Sequence, residues 1–192
     1  MMNNTTSVIF AGVGGQGTLL ASRIIGRVLL DGGFDVKLSE VHGMSQRGGS
    51  VVTYVKYGEK VYSPVIDKGE ADYIVAFEQM EAARWLNYLK PEGKMLINTQ
   101  KLPPMPVITG AAEYNADIIG KIAASGAAVK SLNALELAER AGSARAVNVV
   151  MMGALSNELG FGGEMWEAAL SGCSPAKALD INRKAFKLGK EA

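Results

Sequence analysis

Cysteine and histidine are almost absent from this sequence. Cys173 and His42 are the only residues of these two types among 192. One thiol cannot form a disulfide within the chain, and it cannot supply the four ligands of an iron–sulfur cluster or a structural zinc site. A single imidazole also excludes a histidine-rich metal site. The sequence therefore predicts no metal site in this chain, and we expect its own side chains to carry no electrons.

Long apolar runs and blocks of one charge are missing as well. No window approaches the ~18 to 20 apolar residues that span a bilayer, and the start MMNNTTSVIF lacks the basic and apolar regions of a signal peptide. Twenty basic residues against nineteen acidic ones give a formal charge of +1. No basic patch indicates nucleic acid or an anionic membrane. We expect a cytoplasmic protein that binds neither.

Short apolar strands alternate with amphipathic helices along the sequence. SVIFAG (7–12) predicts a buried strand, the residues from Gln16 to about Asp31 a helix, and FDVKLSEV (34–41) a second strand. This order is typical of a βαβ unit in which the two strands pair in parallel. Further strands are predicted at 50–58, 60–66, 71–77, 94–99, 106–109 and 127–132, and further helices at 78–90, 117–125, 133–142, 145–159, 163–171 and 175–188.

These elements together predict the fold class. It is α/β, with a Rossmann-like, doubly wound, mostly parallel sheet and a helical C-terminal third. We find no internal repeat, linker or low-complexity stretch. We therefore expect residues 1–192 to form a single domain.

The first motif is the glycine loop FAGVGGQG (10–17), which fits the dinucleotide fingerprint G-x-G-x-x-G. Glycines after a strand allow a tight turn, and the following helix presents unpaired N–H groups to an anion. Glu40 follows the last glycine by 23 residues, near the spacing of a ribose-binding acid. The alternative is that the glycines only let the helix pack against the strand. The candidate ligand-binding residues are Gly12, Gly14, Gly15, Gln16, Gly17 and Thr18.

The second motif is SEVHGMSQRGGSVV (39–52), a glycine-rich polar loop between two predicted strands. Exposed Arg, Gln and His side chains rarely serve core packing, because each would need a buried partner. We interpret the loop as a contact surface for an anionic cofactor tail or a neighbouring subunit. The alternative is a solvated loop in which Arg47 pairs with Glu40.

Four segments together carry a family resemblance: GVGGQGTLLASRIIG (12–26), SEVHGMSQRGGSVV (39–52), YSPVI (62–66) and AVNVVMMGALS (146–156). They resemble the gamma-type subunit or domain of 2-oxoacid:ferredoxin oxidoreductases. The form with HGMSQRGG is most similar to the indolepyruvate branch of that family. The resemblance covers nearly the whole chain, in order and at sensible spacing, and is far more specific than the glycine fingerprint alone.

The resemblance implies a reaction in which a 2-oxoacid, coenzyme A (CoA) and oxidised ferredoxin give acyl-CoA, carbon dioxide and reduced ferredoxin. It places thiamine diphosphate and the iron–sulfur clusters on a partner alpha-type chain. Ferredoxin is then reduced through the complex with that chain. This chain then has no catalytic residue, and its glycine loop is expected to contact a CoA phosphate. The expected partner interface is Glu40, His42, Gly43, Met44, Ser45, Gln46, Arg47, Gly48 and Gly49.

Three other hypotheses stay open at this stage. The chain could be the gamma subunit of a pyruvate- or ketoisovalerate-type oxidoreductase. It could be a free-standing NAD- or flavin-dependent oxidoreductase, which the fingerprint and Glu40 favour. It could also be a non-catalytic binding or scaffold module with a Rossmann-like core.

Overall fold

A computed structural model describes residues 5–42 and 49–192, apart from the side chain of His42. In this part of the chain one sheet has the strand order β2-β3-β1-β4-β5-β6. The strands are β1 (Thr6–Val13), β2 (Asp35–His42), β3 (Ser50–Gly58), β4 (Ala71–Ala76), β5 (Leu89–Asn98) and β6 (Ala128–Leu132). The helices are α1 (Thr18–Asp31), α2 (Gln79–Trp85), α3 (Met105–Ile108), α4 (Ile118–Ala124), α5 (Ala134–Ala141), α6 (Val147–Leu159), α7 (Gly163–Cys173) and α8 (Leu179–Glu191).

Helices cover both faces of the sheet. Strand β1 shows why, because its alternate residues Val8 and Phe10 face one core while Ile9 and Ala11 face the other, and all four are fully buried. The first core contains α1 and the C-terminal helices α5 to α8, and the second contains α2 and α4. Strands β1, β4, β5 and β6 are parallel to one another. The predicted doubly wound α/β fold with a helical C-terminal third is confirmed.

The predicted parallel pairing of the first two strands is wrong. Strand β3 lies between β1 and β2 and pairs antiparallel with both, so β1 and β2 run in the same direction without touching. The side chains explain the order. Val52 and Val55 of β3 are buried, as a central strand requires, whereas β2 carries Asp35 and Lys37 and exposes Val41.

Two further predicted strands do not form. Residues 60–66 follow an irregular path, in which Val61 N–H donates to Asp35 Oδ2 at 2.9 Å, and Pro64 has no N–H to offer a ladder. The residues predicted as a strand at 106–109 form the short helix α3 instead. Pro106 fits its first turn, where the N–H groups have no intrahelical partner.

Two predicted helices have different bounds. The helix predicted at 78–90 ends at Trp85, a 3₁₀ turn follows at Leu86–Tyr88, and the chain then enters β5. The last helix starts at Leu179 rather than at residue 175. Ser174, which directly precedes the predicted start, is the C-cap of α7, and its hydroxyl oxygen accepts a hydrogen bond from Asn182 Nδ2 at 2.9 Å.

Candidate functional site

The glycine loop lies at the point where the winding of the sheet reverses. Strands β1 and β4 are parallel neighbours, and the helices that follow them, α1 and α2, cover opposite faces of the sheet. Their carboxyl ends therefore open into a crevice, which is where ligands bind in doubly wound sheets. We call the stretch from Gly14 to Thr18 at this crevice the glycine corner.

The glycine corner has free backbone donors. Gly17 is the N-cap of α1 in the left-handed conformation, with φ of 79°, and it offers no side-chain cap. Gly15 also has a positive φ, of 101°. The amides of Gly15, Gly17 and Thr18 donate no hydrogen bond to any other described residue. Such amides at the start of a 14-residue helix suit an anion.

Gln16 and Gly12 hold the corner in shape. Gln16 Oε1 accepts from Val13 N–H at 2.8 Å, and its Nε2 donates to the carbonyl of Phe77 at 3.0 Å. Gly12 lies within β1, and a Cβ there would come within 3.0 Å of Gln16 Oε1. These two residues therefore build the turn and tie it to the end of β4. Their predicted contact with a ligand stays a prediction.

The two sequence motifs are directly joined. Gly14 N–H donates to the carbonyl of Gly49 at 2.9 Å, so that amide is not free for a ligand. Next to it, Ser50 Oγ donates to Glu81 Oε2 at 2.5 Å. Arg84 Nε lies 3.2 Å from the other oxygen of this 4 % exposed carboxylate. The end of the second motif is thus fixed against the glycine corner and α2.

The start of the second motif is fixed by α1. Glu40 Oε1 lies 3.3 Å from Ser22 Oγ and 3.4 Å from Thr53 Oγ1, and both hydroxyls donate to it. The remaining predicted interface residues from Gly43 to Gly48, together with the His42 side chain, lie outside the described residues. Their role as a partner interface stays a prediction.

The position of Glu40 weakens the dinucleotide hypothesis. In a dinucleotide-binding unit the ribose-binding acid ends the strand adjacent to the one that leads into the glycine loop. Here β3 separates β2 from β1, which adds a strand spacing of about 4.8 Å. The Glu40 carboxylate also accepts bonds from two hydroxyls of the chain itself.

Asn148 and Arg145 complete the site, and neither was singled out from the sequence. Asn148 is 3 % exposed, and its Nδ2 donates to the carbonyl of Gly17 at 2.9 Å. Arg145 lies in the 3₁₀ turn Ala144–Ala146 that leads into α6, and it forms no ion pair with a described residue. An Asn in the otherwise apolar first two turns of α6 was the available signal for the first residue. Arg145 gave none, because its closeness to the glycine corner is a tertiary property.

These groups surround a cavity of about 390 Å³. Among the described residues, its polar lining comes from the glycines of the corner, Arg145 and two glutamines, and includes no acidic residue. An oxyanion such as phosphate is the ligand chemistry that this donor set suits. The lining residues are Gly15, Gln16, Gly17, Gln100, Leu135, Ala144, Arg145 and Val147.

The buried carboxylate of Glu78 lies on the other side of the glycine corner, and it was not predicted from the sequence. Glu78 is 1 % exposed and caps α2 by accepting from the amides of Met80 at 2.6 Å and Glu81 at 3.1 Å. It also accepts from Leu102 N–H at 3.1 Å and from the Tyr114 hydroxyl. Burial, together with the neighbouring Glu78 carboxylate, raises the pKa of Tyr114 above its usual range. All these bonds are internal, so Glu78 anchors the segment after β5.

In residues 5–42 and 49–192 no three His, Cys, Asp or Glu side chains are grouped so that they could hold a metal ion. None of the helices described there is long and apolar enough to cross a bilayer.

Comparison with known proteins decides the family. The model of the pyruvate ferredoxin/flavodoxin oxidoreductase family matches residues 7–192. The chain belongs to this family. It is therefore a subunit of a 2-oxoacid:ferredoxin oxidoreductase, as the sequence resemblance implied.

Curated relatives agree with this assignment. An indolepyruvate oxidoreductase subunit from Thermococcus kodakarensis is 41% identical over 191 residues, which cover 97% of this chain and 95% of the relative. A ketoisovalerate oxidoreductase subunit from Methanothermobacter thermautotrophicus is 29% identical, and the match covers 96% of this chain but only 35% of that longer relative.

Solved structures show the same fold. The gamma subunit of a keto/oxoacid ferredoxin oxidoreductase from Geobacter sulfurreducens has a TM-score of 0.73 at 23% identity, and the match covers 97% of this chain and 96% of that one. A 2-oxoglutarate:ferredoxin oxidoreductase from Magnetococcus marinus, solved with 2-oxoglutarate, coenzyme A and succinyl-CoA, has a TM-score of 0.76 at 20% identity. That match covers 97% of this chain and 30% of the other.

Proposed function

We propose that this chain is the small subunit of an oxidoreductase for indolepyruvate or a related aryl 2-oxoacid, and that residues 1–192 form one gamma-type domain. Support for the substrate class comes from sequence similarity. The indolepyruvate oxidoreductase relative is 41% identical over nearly equal lengths, whereas the ketoisovalerate relative is 29% identical over about a third of its length.

The proposed enzyme oxidatively decarboxylates the 2-oxoacid. The carbon–carbon bond to the carboxylate breaks and the carboxylate leaves as carbon dioxide. The acyl group joins the CoA sulfur, the two electrons released pass to ferredoxin, and the thiol proton is released. Thiamine diphosphate and iron–sulfur clusters would supply the bond cleavage and the electron path, on the alpha-type partner. An iron–sulfur cluster held by four cysteines does not fit this chain, because Cys173 is its only thiol.

The contribution of this chain is to bind and orient. We place a phosphate of CoA at the glycine corner, and the observation that carries this proposal is the cavity where free amides of Gly15 and Gly17 adjoin Arg145. Residues 40–49 would contact the alpha-type partner beside that cavity. The bond between Gly14 and Gly49 supports this placement, since it keeps the end of the partner segment against the corner.

Arg145→Glu tests the CoA contact. Arg145 is exposed and forms no ion pair with a described residue, so the fold should survive the change. A hydrogen bond to a charged group contributes about 1.5 to 3 kcal/mol, and about 1.4 kcal/mol is a tenfold change in affinity. We expect the Michaelis constant for CoA in the assembled enzyme to rise at least about tenfold, with kcat little changed.

Arg140→Glu is the matched control, because Arg140 is an exposed arginine of α5 that does not line the cavity. Repeating the titration with dephospho-CoA identifies the phosphate. The effect of Arg145→Glu should vanish there if the 3′-phosphate binds the corner, and it should persist if the diphosphate does. An unchanged Michaelis constant for CoA in Arg145→Glu would contradict the placement.

A further inference from the structure

A second, larger cavity lies outside the glycine corner. It is a groove of about 560 Å³ between the outer side of α1, the edge strand β2 and the C-terminal end of α7. We call it the α1 groove. Its principal lining residues are Leu19, Arg23, Leu30, Leu38 and Cys173.

The α1 groove is apolar where a helix surface should be polar. Helix α1 buries one apolar face in the core, yet it also exposes Leu19 by 44 % and Leu30 by 59 % on the groove side. Leu38 of β2 is 43 % exposed beside them. Gly26 forms the floor, where a Cβ would come within 3.2 Å of Leu38 Cδ1. Three large apolar side chains around one concave surface are typical of a protein contact site.

The charged side chains of the groove are Arg23, Arg27 and Glu40, and the Glu40 carboxylate accepts hydrogen bonds from Ser22 and Thr53. Arg27 is neutralised by Asp31, whose Oδ2 lies 2.7 Å from Arg27 Nε. Arg23 forms no ion pair with any residue of the described chain. An apolar surface with a guanidinium that forms no ion pair within the described part of the chain is complementary to an apolar segment that carries a carboxylate.

The groove is also continuous with the segment that we assign to the partner. Leu38 and Glu40 line it from β2, and β2 leads directly into residues 43–49. In the longer ketoisovalerate relative, the part that matches this chain is only 35% of one polypeptide. We assign the counterpart of the remaining part of that polypeptide to the alpha-type partner.

We propose that the alpha-type partner subunit covers the α1 groove with an apolar segment whose carboxylate pairs with Arg23. This inference rests on the proposed function, because it requires the alpha-type partner. It extends the interface from residues 40–49 onto helix α1 and the end of α7.

The alkylation rate of the Cys173 thiol measures whether the groove is covered. It is the only cysteine of the chain, it is half-buried, and its thiol lies 3.6 Å from the carbonyl of Arg23. Burial raises the pKa of this thiol, so its alkylation should accelerate as the pH rises beyond the ordinary thiol range. In the complex we expect alkylation by N-ethylmaleimide to be at least about tenfold slower than in the free chain. Mass spectrometry of this chain reads the result separately from the partner's cysteines.

Two variants test the contact itself. Leu30→Glu and Leu38→Glu place a carboxylate in the groove, and we expect each to weaken binding of the partner at least about tenfold, because an ionised group would be desolvated there. Met105→Glu and Ile108→Glu are the controls, since both residues are 65 % exposed outside the groove. Thermal unfolding should show that all four variants fold.

The outcomes separate the two proposals. Protection of Cys173 together with weakened binding by the groove variants supports the inference. A complex that forms and turns over while Cys173 is alkylated as fast as in the free chain overturns the inference and leaves the proposed function standing. A wild-type chain that binds no alpha-type partner contradicts both.

Discussion

Gly153→Ala is expected to destabilise the fold strongly. Gly153 of α6 faces α8 at a distance that leaves no room for a side chain, because its Cβ would lie 2.1 Å from the carbonyl oxygen of Phe186. The contact is reciprocal, since a Cβ at Gly189 of α8 would lie 1.9 Å from the carbonyl oxygen of Val150. Backbone atoms cannot move aside as side chains do, so the two helices must separate.

The cost should exceed about 3 kcal/mol, which is a large part of the roughly 5 to 15 kcal/mol that stabilises a domain. Denaturant unfolding measures it. Gly163→Ala is the matched control, because Gly163 begins α7 with no atom within 4 Å of its Cβ position, and helix propensity should make this change neutral or stabilising. A Gly153→Ala protein as stable as the control would show that α6 and α8 are not packed as described.

Alanine at Gly17 is expected to disable the glycine corner. Gly17 has a φ of 79°, which costs a residue with a side chain about 1 to 2 kcal/mol. Its Cβ would also lie 2.6 Å from Asn148 Nδ2, which donates to the carbonyl of Gly17. The side chain that holds the corner would be displaced, and we expect the Michaelis constant for CoA to rise more than tenfold in the assembled enzyme.

Gly15→Ala separates the effect of backbone strain from the effect of overlap with Asn148. Gly15 has a φ of 101° but open space around its Cβ position, so it shares the backbone strain and lacks the overlap. Gly15→Ala should therefore destabilise the chain less than Gly17→Ala. Asn148→Ala should rescue part of the loss when combined with Gly17→Ala, and a double-mutant cycle of unfolding free energies measures that coupling. Equal effects of the two glycine variants, without coupling, would show that Asn148 does not constrain the corner.

Much of the fold was predictable from local signals, although the patterns at 60–66 and 106–109 predicted strands that do not form. Apolar periodicity and the glycines after β1 indicated the first strand and helix, and Gly142 ends α5 as predicted, with a left-handed φ of 117°. The strand order was not predictable in the same way. The position of β3 between β1 and β2 depends on which strand the core buries on both faces, and this is decided by packing between residues distant in sequence.

The candidate site shows the same difference between residues that are adjacent in the sequence and contacts between distant residues. The glycine corner was found because its residues are adjacent in the sequence. Asn148 contacts it across 131 positions, and Arg145 reaches the cavity only because α6 starts beside α1. Glu78 read as the first residue of a helix, and its buried bonds to Leu102 and Tyr114 required the tertiary structure. No local sequence pattern predicts contacts between residues that are so far apart in the chain.

Ferredoxin reduction from indolepyruvate and CoA tests most directly whether this chain supplies docking surfaces rather than bond chemistry. The rate should be measured for this chain alone, for the alpha-type partner alone, and for the two combined, with NAD as an alternative acceptor. We expect CoA-dependent reduction only in the combined sample. Turnover of an oxidant by this chain alone, or full CoA-dependent turnover by the partner alone, would contradict that role.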